Sequence, residues 1–577
     1  MFKKYSITLI LFFILTFVSS DLLAKSVKYS IPAKPFKNLF SMVSKGPVDI
    51  KNNTVSVPFI TWAGDGPMIL SNGGKSPNSE SFFAQKAGFK VKMENGDNFK
   101  KQVENYIQGK TPFLRGTLGM INLAAEVLSE KDPALKPLVF IKYSWSEGAD
   151  GLVGRKHIKK VKDLKGKTIV LQKYSPHLEF LEQVLGDAGL TTDDVNIKFV
   201  SEIIEPPGGE TKNHIDPANA FRFDKSVDAA FCISPDIGNL TSGATVGTGA
   251  EGSVKGAHLV VTTKTAKRVI ADVLAVRSDF AKSNPEMVMG IAAGVLKGLE
   301  KLKKVHSDSS AYDSAVSIIS KVLLDDENPL EVKGMLTEVN LSDYTENYNF
   351  FEKSNNPVGF SRLNRKYQGY LVKNGYTTKK VQLAHLSLDK DFLSKNLDSI
   401  TVEKRQKAFK SMNQAKKILK KVRKTKTQGS LFEYTFYFQP NETKFNPGDY
   451  EDIFKRIHEL SETYGGALVN IIGHGDPSLI NRMKKEGSSK AKLRNTMASS
   501  KRMTYKRALG VKRALQKYAE NKDLEIDETQ FVPSGEGIGK PLFPVPRSEK
   551  EWRQNMRVEV KIINIESEAT SFPGWQK

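Results

Sequence analysis

Between Thr54 and Val276 short apolar runs recur, separated by polar or Gly-rich stretches. Val55-Ser-Val-Pro-Phe-Ile-Thr61 has the pattern of a strand and ends in the turn Trp62-Ala-Gly-Asp-Gly66. Phe89–Met93, Leu138–Ile141, Thr168–Leu171, Asn196–Val200, Val227–Phe231, Leu259–Thr262 and Val273–Val276 follow as further strands. Phe99, Val103, Tyr106 and Ile107 stand at helical spacing, and Pro285–Leu302 and Ser310–Leu324 repeat that spacing over longer spans. Short strands alternating with helices predict an α/β fold of parallel sheets covered by helices on both faces. The span 54–397 is too long for one such sheet, so two lobes are expected, the second over about 150–250. Gly-rich crossovers near Tyr143–Gly151 and Gly249–Gly256 are placed to act as hinges. Pro206-Pro207-Gly208-Gly209 breaks any element and reads as a surface loop, while Lys25–Asn53 has no strong period.

Beyond Thr401 the pattern changes. Ala408, Met412, Ala415, Leu419 and Val422 lie near helical spacing within a run rich in Lys and Arg, so 398–429 reads as a basic helix and linker. Its charge suits an anionic surface, but a solvated helix docked by one apolar stripe is the favoured reading, because charge runs usually face water. Phe432-Glu-Tyr-Thr-Phe-Tyr-Phe438 then alternates as a half-buried strand does. A helix over Tyr450–Leu460, a strand over Ala467–Ile472, a helix over Tyr505–Tyr518, a strand near Gln530–Pro533 and a last strand over Arg557–Ile563 complete an α+β domain over 430–565, in the order βαβαββ. Glu566–Lys577 reads as a loose tail.

Composition narrows the setting. A chain of 577 residues exceeds one ordinary core, and 39% hydrophobic with 26% charged residues is a soluble globular balance. The net charge of +23 suits nucleic acid, anionic lipid or an anionic polymer. The N-terminus argues against nucleic acid: Lys3 and Lys4 precede the apolar run Ile7–Val18, and Leu22-Leu23-Ala24 offers cleavage after Ala24, with Ser20 as the alternative. Residues 1–24 thus read as a secretory signal peptide, and with no Cys after the apolar run no lipoprotein anchor is expected. The single Cys232 excludes an internal disulfide and any Cys-based metal cluster.

Three blocks near the C-terminus carry a resemblance. Ala467-Leu-Val-Asn-Ile-Ile-Gly473-His474-Gly475-Asp476, Met503-Thr504-Tyr505-Lys506-Arg507-Ala508 and Asn555-Met556-Arg557-Val558-Glu559-Val560 resemble, in order, the motifs of the OmpA-like peptidoglycan-binding domain. The resemblance implies a site for the diaminopimelate of the stem peptide, with Asp476 on its ammonium, Arg507 on its carboxylate, Asn555 and Arg557 supporting strand and loop, and His474 orienting the loop. Paired hydrogen bonds make a guanidinium the natural partner of a carboxylate. The chain departs from the motif at Gly475, at Met503-Thr504 and at Ser500, and the stretch between Asp476 and Arg507 is long and very basic.

The larger segment resembles periplasmic solute-binding proteins of the nitrate, sulfonate, taurine and thiamine-precursor ABC importers. The blocks are Trp62-Ala-Gly-Asp-Gly66, Gln85-Lys-Ala-Gly-Phe-Lys-Val91, Val161-Lys-Asp-Leu-Lys-Gly-Lys-Thr-Ile-Val170, Leu185-Gly-Asp-Ala-Gly-Leu190, Ser226-Val-Asp-Ala-Ala230 and Asp279-Phe-Ala-Lys-Ser-Asn-Pro-Glu286, in that order. The resemblance implies a two-lobed clamp with contacts from loops after strands, where helix N-termini converge. The expected solute contacts are Thr61, Trp62 and Asp65, then Arg115, Gly116 and Thr117 in a second loop, Tyr174, Ser175 and His177 at a helix start, and Ser234 and Asp236 after another strand. The expected partners are peptidoglycan, a small solute and an inner-membrane ABC permease, in the periplasm; no cofactor and no nucleic acid are expected. An enzyme on this fold is disfavoured, because Cys232 stands alone and no nucleophile–base–orienter set is readable. A wall-anchored scaffold or sensor is the alternative.

Overall fold

The computed structural model describes residues 26–204, 213–243, 246–403, 407–422 and 430–563. The expected leader, the Pro206–Gly209 break and the C-terminal tail from Glu566 lie outside the described residues. Among these residues no helix is long and apolar enough to cross a membrane.

The first lobe opens with β1 (Thr54–Phe59), paired in parallel with β2 (Lys90–Asn95). Next, β3 (Phe113–Thr117) runs without a loop into α1 (Leu118–Lys131). Thr117 ends the strand and caps the helix, its Oγ1 accepting from Met120 N at 3.3 Å. β4 (Pro137–Ser146) carries the chain out of the lobe.

The second lobe contains β5 (Asp150–Gly154), β6 (Thr168–Gln172), α2 (His177–Asp187), β7 (Asn196–Val200), β8 (Ala229–Ile233) and β9 (His258–Thr262). Its sheet has the order β9-β5-β8-β6-β7. The chain returns as β10 (Ala271–Arg277), and β11 (Val339–Leu341) completes a first-lobe sheet of order β11-β4-β10-β3, with Ala384–His385 added along β4. α3 (Phe360–Lys373) lies over α1 and reaches α2, where Lys366 Nζ donates to Gln183 Oε1 at 2.6 Å.

Two lobes of sheet and helix are thus observed, but their sheets are mixed rather than parallel. β10 runs antiparallel to β3 and β4, and β5 runs antiparallel to β8 and β9, whereas β1–β2, β6–β7, β6–β8 and the short Ala384–His385 edge pair in parallel. The strands that cross between lobes enter from the opposite side, which reverses them against their neighbours. Burial on both faces gave these strands apolar stretches such as Val273–Val276, and all of β10 is buried. The second crossover lies at Thr263–Ile270; Gly249–Gly256 falls inside the second lobe, ahead of β9. Arg115, Gly116 and Thr117 belong to a fully buried strand, not a loop.

The segment after the leader, featureless in pattern, is a strap across the lobes. Ser26–Val27 pairs with Asn213–His214, and Tyr29 OH donates to Asp224 at 2.5 Å on the second lobe. Phe36 is buried between Phe99 of the first lobe and Tyr174 of the second, and Lys37 bridges to Glu126 of α1 at 3.0 Å.

The C-terminal domain is built from β12 (Ser430–Tyr437), α4 (Glu451–Thr463), β13 (Leu468–His474), α5 (Lys490–Asn521), β14 (Phe531–Gly537) and β15 (Arg557–Ile563). The sheet order is β12-β15-β13-β14, with short helices at Ser478–Lys485 and Glu549–Asn555 added to the expected order. α5 lies so close to the sheet that a Cβ at Gly473 or Gly535 would stand under 3.0 Å from the helix backbone at Thr504 or Lys501. Its 32 residues span about 48 Å, and its first turns are exposed and carry Lys490, Lys492 and Arg494. The basic helix, observed over Met412–Val422, docks Ala415, Ile418 and Leu419 against Leu468, Val532 and Ile563, as a solvated helix with one apolar stripe does.

This domain sits on the clamp. Arg268 N donates to Thr463 O at 3.3 Å and Gly466 N to Thr265 O at 3.2 Å, so the turn after α4 lies on the second crossover. Arg456 pairs with Asp187 of α2 at 2.6 Å, and Glu459 with Arg362 of α3 at 3.3 Å.

Candidate binding sites

In the cleft, β3 and β10 pair with Asp272 opposite Thr117 and Leu274 opposite Arg115. Arg115 is fully buried. Its Nη2 lies 2.7 Å from Asp65 Oδ2, its Nε donates to both Asp65 oxygens, and its Nη1 reaches Asp272 Oδ1 at 3.0 Å. The guanidinium also stands 4.8 Å over the Tyr143 ring. Asp272 Oδ2 accepts from Trp62 Nε1 at 3.1 Å and Ser144 Oγ at 2.9 Å. Burial pushes the Asp65 carboxyl up to about 6 against the pull of Arg115. Trp62, Asp65 and Arg115, expected as solute contacts, are therefore brought together but engaged with one another. Thr61 is apart from them and exposed, with N and Oγ1 both bonded to Asp97 at 2.7 Å.

On the second lobe, His177 Nε2 is 2.9 Å from Asp150 Oδ1, and Ser146 Oγ donates to Asp150 Oδ2 at 2.6 Å and lies 2.9 Å from Thr263 Oγ1. This network joins the two crossovers and holds the His177 ring between them. Ser175 Oγ donates to Gln172 O and accepts from His177 N, a local turn at the start of α2. Tyr174 has φ +59° and donates its hydroxyl to Ala33 O of the strap at 3.1 Å. Asp236 lies 3.9 Å from Arg222, and the His177 ring is 5.7 Å from Phe231 in a tilted contact. Ser234 donates to Glu338 Oε2 of the first lobe at 2.7 Å.

The residue the pattern did not single out is Glu179, in the first turn of α2. It is 2% exposed, and its Oε2 accepts from Gly119 N in the first turn of α1 at 2.8 Å. Its Oε1 has no hydrogen-bond partner among the described residues. Burial drives its carboxyl well above the ordinary range, Thr117 and the Gly119 N–H pull against that, and Asp272 and Asp150 add to the rise. Met120, Leu178, Tyr367, Tyr370 and Leu371 close around it, and the void they leave beside it is about 10 Å³, room for at most one water.

At one end of the C-terminal sheet the structure gathers all four expected wall-binding residues. Tyr437 is opposite Arg557, Gly473 is opposite Val558, and Phe438 N donates to Met556 O, so the ends of β12 and β13 meet the start of β15. Asp476 is half-buried there; Asn555 Nδ2 donates to its Oδ2 at 2.9 Å and Ser478 N to its Oδ1 at 3.0 Å. Arg507 is fully buried, donates through Nε to Glu442 O and through Nη2 to Gln439 O, and lies 5.2 Å over Phe438. No carboxylate pairs with it among the described residues, and burial pushes it down to about 10. Arg557 pairs with Glu559 at 2.6 Å, and His474 Nε2 stands 3.4 Å from the same carboxyl. The Nη1 atoms of Arg507 and Arg557 are buried without a hydrogen-bond partner among the described residues.

No family model matches this chain, and no curated protein matches it. Among solved structures, the alkanesulfonate-binding protein SsuA from Xanthomonas axonopodis pv. citri bound to MOPS is 14% identical, over 59% of this chain and 100% of its own, with a TM-score of 0.38. The periplasmic aliphatic sulphonate binding protein SsuA from Escherichia coli is 15% identical, over 60% and 98%, with a TM-score of 0.40. The desulfurization enzyme DSZB is 16% identical, over 59% and 98%, with a TM-score of 0.36.

Proposed function

We propose that the chain is a periplasmic protein of the ABC-importer solute-binding type, held at the cell wall by an OmpA-like C-terminal domain. The observation that carries the tether is the buried Arg507 guanidinium, which has no paired carboxylate among the described residues and lies at the end of the sheet that also holds Asp476. A buried cation without a counter-charge is costly, and an incoming carboxylate would relieve it. Diaminopimelate supplies a carboxylate for Arg507 and an ammonium for Asp476, with Asn555 aiming the Asp476 carboxylate and Arg557 supporting the strand. Cosedimentation with purified sacculi tests this. The native protein is expected in the pellet and Asp476→Ala in the supernatant. A native protein that stays soluble, or an Asp476→Ala variant that pellets as well as the native one, defeats the reading.

In the clamp, the first turn of α1 directs the Gly119 amide at a carboxyl oxygen across the cleft, a donor that suits a small solute with an anionic group. A second reading, a wall-anchored scaffold or sensor that transports nothing, is favoured by the void of only about 10 Å³ beside Glu179 and by the seating of the C-terminal domain on a crossover. Native mass spectrometry before and after refolding separates the two. A co-purified solute that is lost on refolding and restores the melting temperature when added back supports the receptor. A solute panel without any shift supports the scaffold.

A further inference from the structure

The cleft of a two-lobed clamp ordinarily leaves room for its ligand, and here the start of α1 is met by a side chain of the protein itself. Thr117 caps α1, and the next free amide, that of Gly119, points across the cleft. The group that meets it is a carboxyl from the opposite lobe, Glu179, nine-tenths and more buried, with its second oxygen unpartnered among the described residues. A glutamate in the first turn of a helix normally faces water and interacts with the end of its own helix. This one turns away and interacts with the end of another. We propose that Glu179 is an internal ligand: its carboxyl takes the seat that the start of α1 offers to a small oxyanion and latches the two lobes shut. The strap supports the same closure from outside, through Tyr174 to Ala33 and Phe36 between the lobes.

The latch can be released from either lobe. Glu179→Ala removes the carboxyl and leaves the seat empty. Gly119→Ala acts from the other side, because a Cβ there would stand under 3.0 Å from the Glu179 carboxyl, while alanine strengthens the helix that carries it. A looser particle in that variant cannot come from a weaker α1.

Small-angle scattering and melting curves of the full chain test the proposal. Both variants are expected to show a larger radius of gyration than the native protein. Sodium acetate or methanesulfonate is expected to return Glu179→Ala to the native radius and to raise its melting temperature by at least about 2 °C. Sodium chloride at the same ionic strength is expected to do neither, and the native protein is expected not to respond. Native-like scattering from Gly119→Ala overturns the latch, and that variant decides alone if Glu179→Ala does not fold. A loosened Glu179→Ala that ignores both anions overturns the seat. The inference depends on the clamp reading but not on any transported solute, so an empty mass spectrum leaves it standing.

Discussion

Arg115 separates two accounts of the cleft, as a solute contact or as a structural cation between Asp65 and Asp272. Arg115→Ala removes one guanidinium and leaves two carboxylates, both essentially without solvent, at 0% and 3% exposure. Breaking a buried ion pair by deleting one partner costs about 3–5 kcal/mol, because the remaining charge is stranded. At about 1.4 kcal/mol per factor of ten this lowers the folded-to-unfolded ratio by roughly two to four orders of magnitude. At about 2–4 °C per kcal/mol the melting temperature falls by roughly 6–20 °C. Adding Asp65→Asn and Asp272→Asn recovers part of the loss, since no bare charge then remains buried. Calorimetry of the four proteins, native, single, double and triple, is the assay. An Arg115→Ala variant that melts within about 1 °C of the native protein refutes the structural account, which requires the full penalty of leaving both carboxylates buried and unpaired.

Three further outcomes follow from the same geometry. The Asp65 carboxyl titrates near 6 in the fold, above its unfolded value of about 3.9, so its stabilisation is complete below the lower value and is lost as pH rises through the upper one; melting temperatures from pH 5 to 8 are expected to fall, less steeply in Asp65→Asn. Gly473→Ala drives a methyl into the backbone of α5 at Thr504 and is expected to destabilise the C-terminal domain by about 1–3 kcal/mol in urea unfolding. Arg456→Ala strands the buried Asp187 at the clamp surface and is expected to speed limited proteolysis within 398–429, with native-like rates arguing against docking through this pair.

Most strands were legible as apolar runs, from Val55–Phe59 to Val273–Val276, because burial on both faces writes itself into composition. Strand direction was not, because burial is the same for parallel and antiparallel neighbours. β3 was hidden by its own chemistry: Phe113-Leu-Arg-Gly-Thr117 reads as a loop until Arg115 is seen to meet partners 50 and 157 residues away. Glu179 was hidden for the opposite reason, since a glutamate in the first turn of a helix is so ordinary that the pattern gives no reason to look at it. The residues proposed to bind the wall were readable as motifs, and the structure adds what motifs lack, that Arg507 is buried beside backbone carbonyls with no paired carboxylate among the described residues.

The seating of the turn Thr463–Gly466 on the segment Thr263–Arg268 also has a mechanical side. A body fixed to a wall through its C-terminal sheet feels any pull between envelope layers where that sheet meets the rest of the molecule. In this protein the meeting place is a clamp crossover, with one strut to α2 through Arg456 and another to α3 through Arg362. On the proposed tether, tension arrives at the pivot, where it has almost no lever arm to pry the lobes apart, rather than at a lobe tip. The proposed anchor can strain without forcing the jaws.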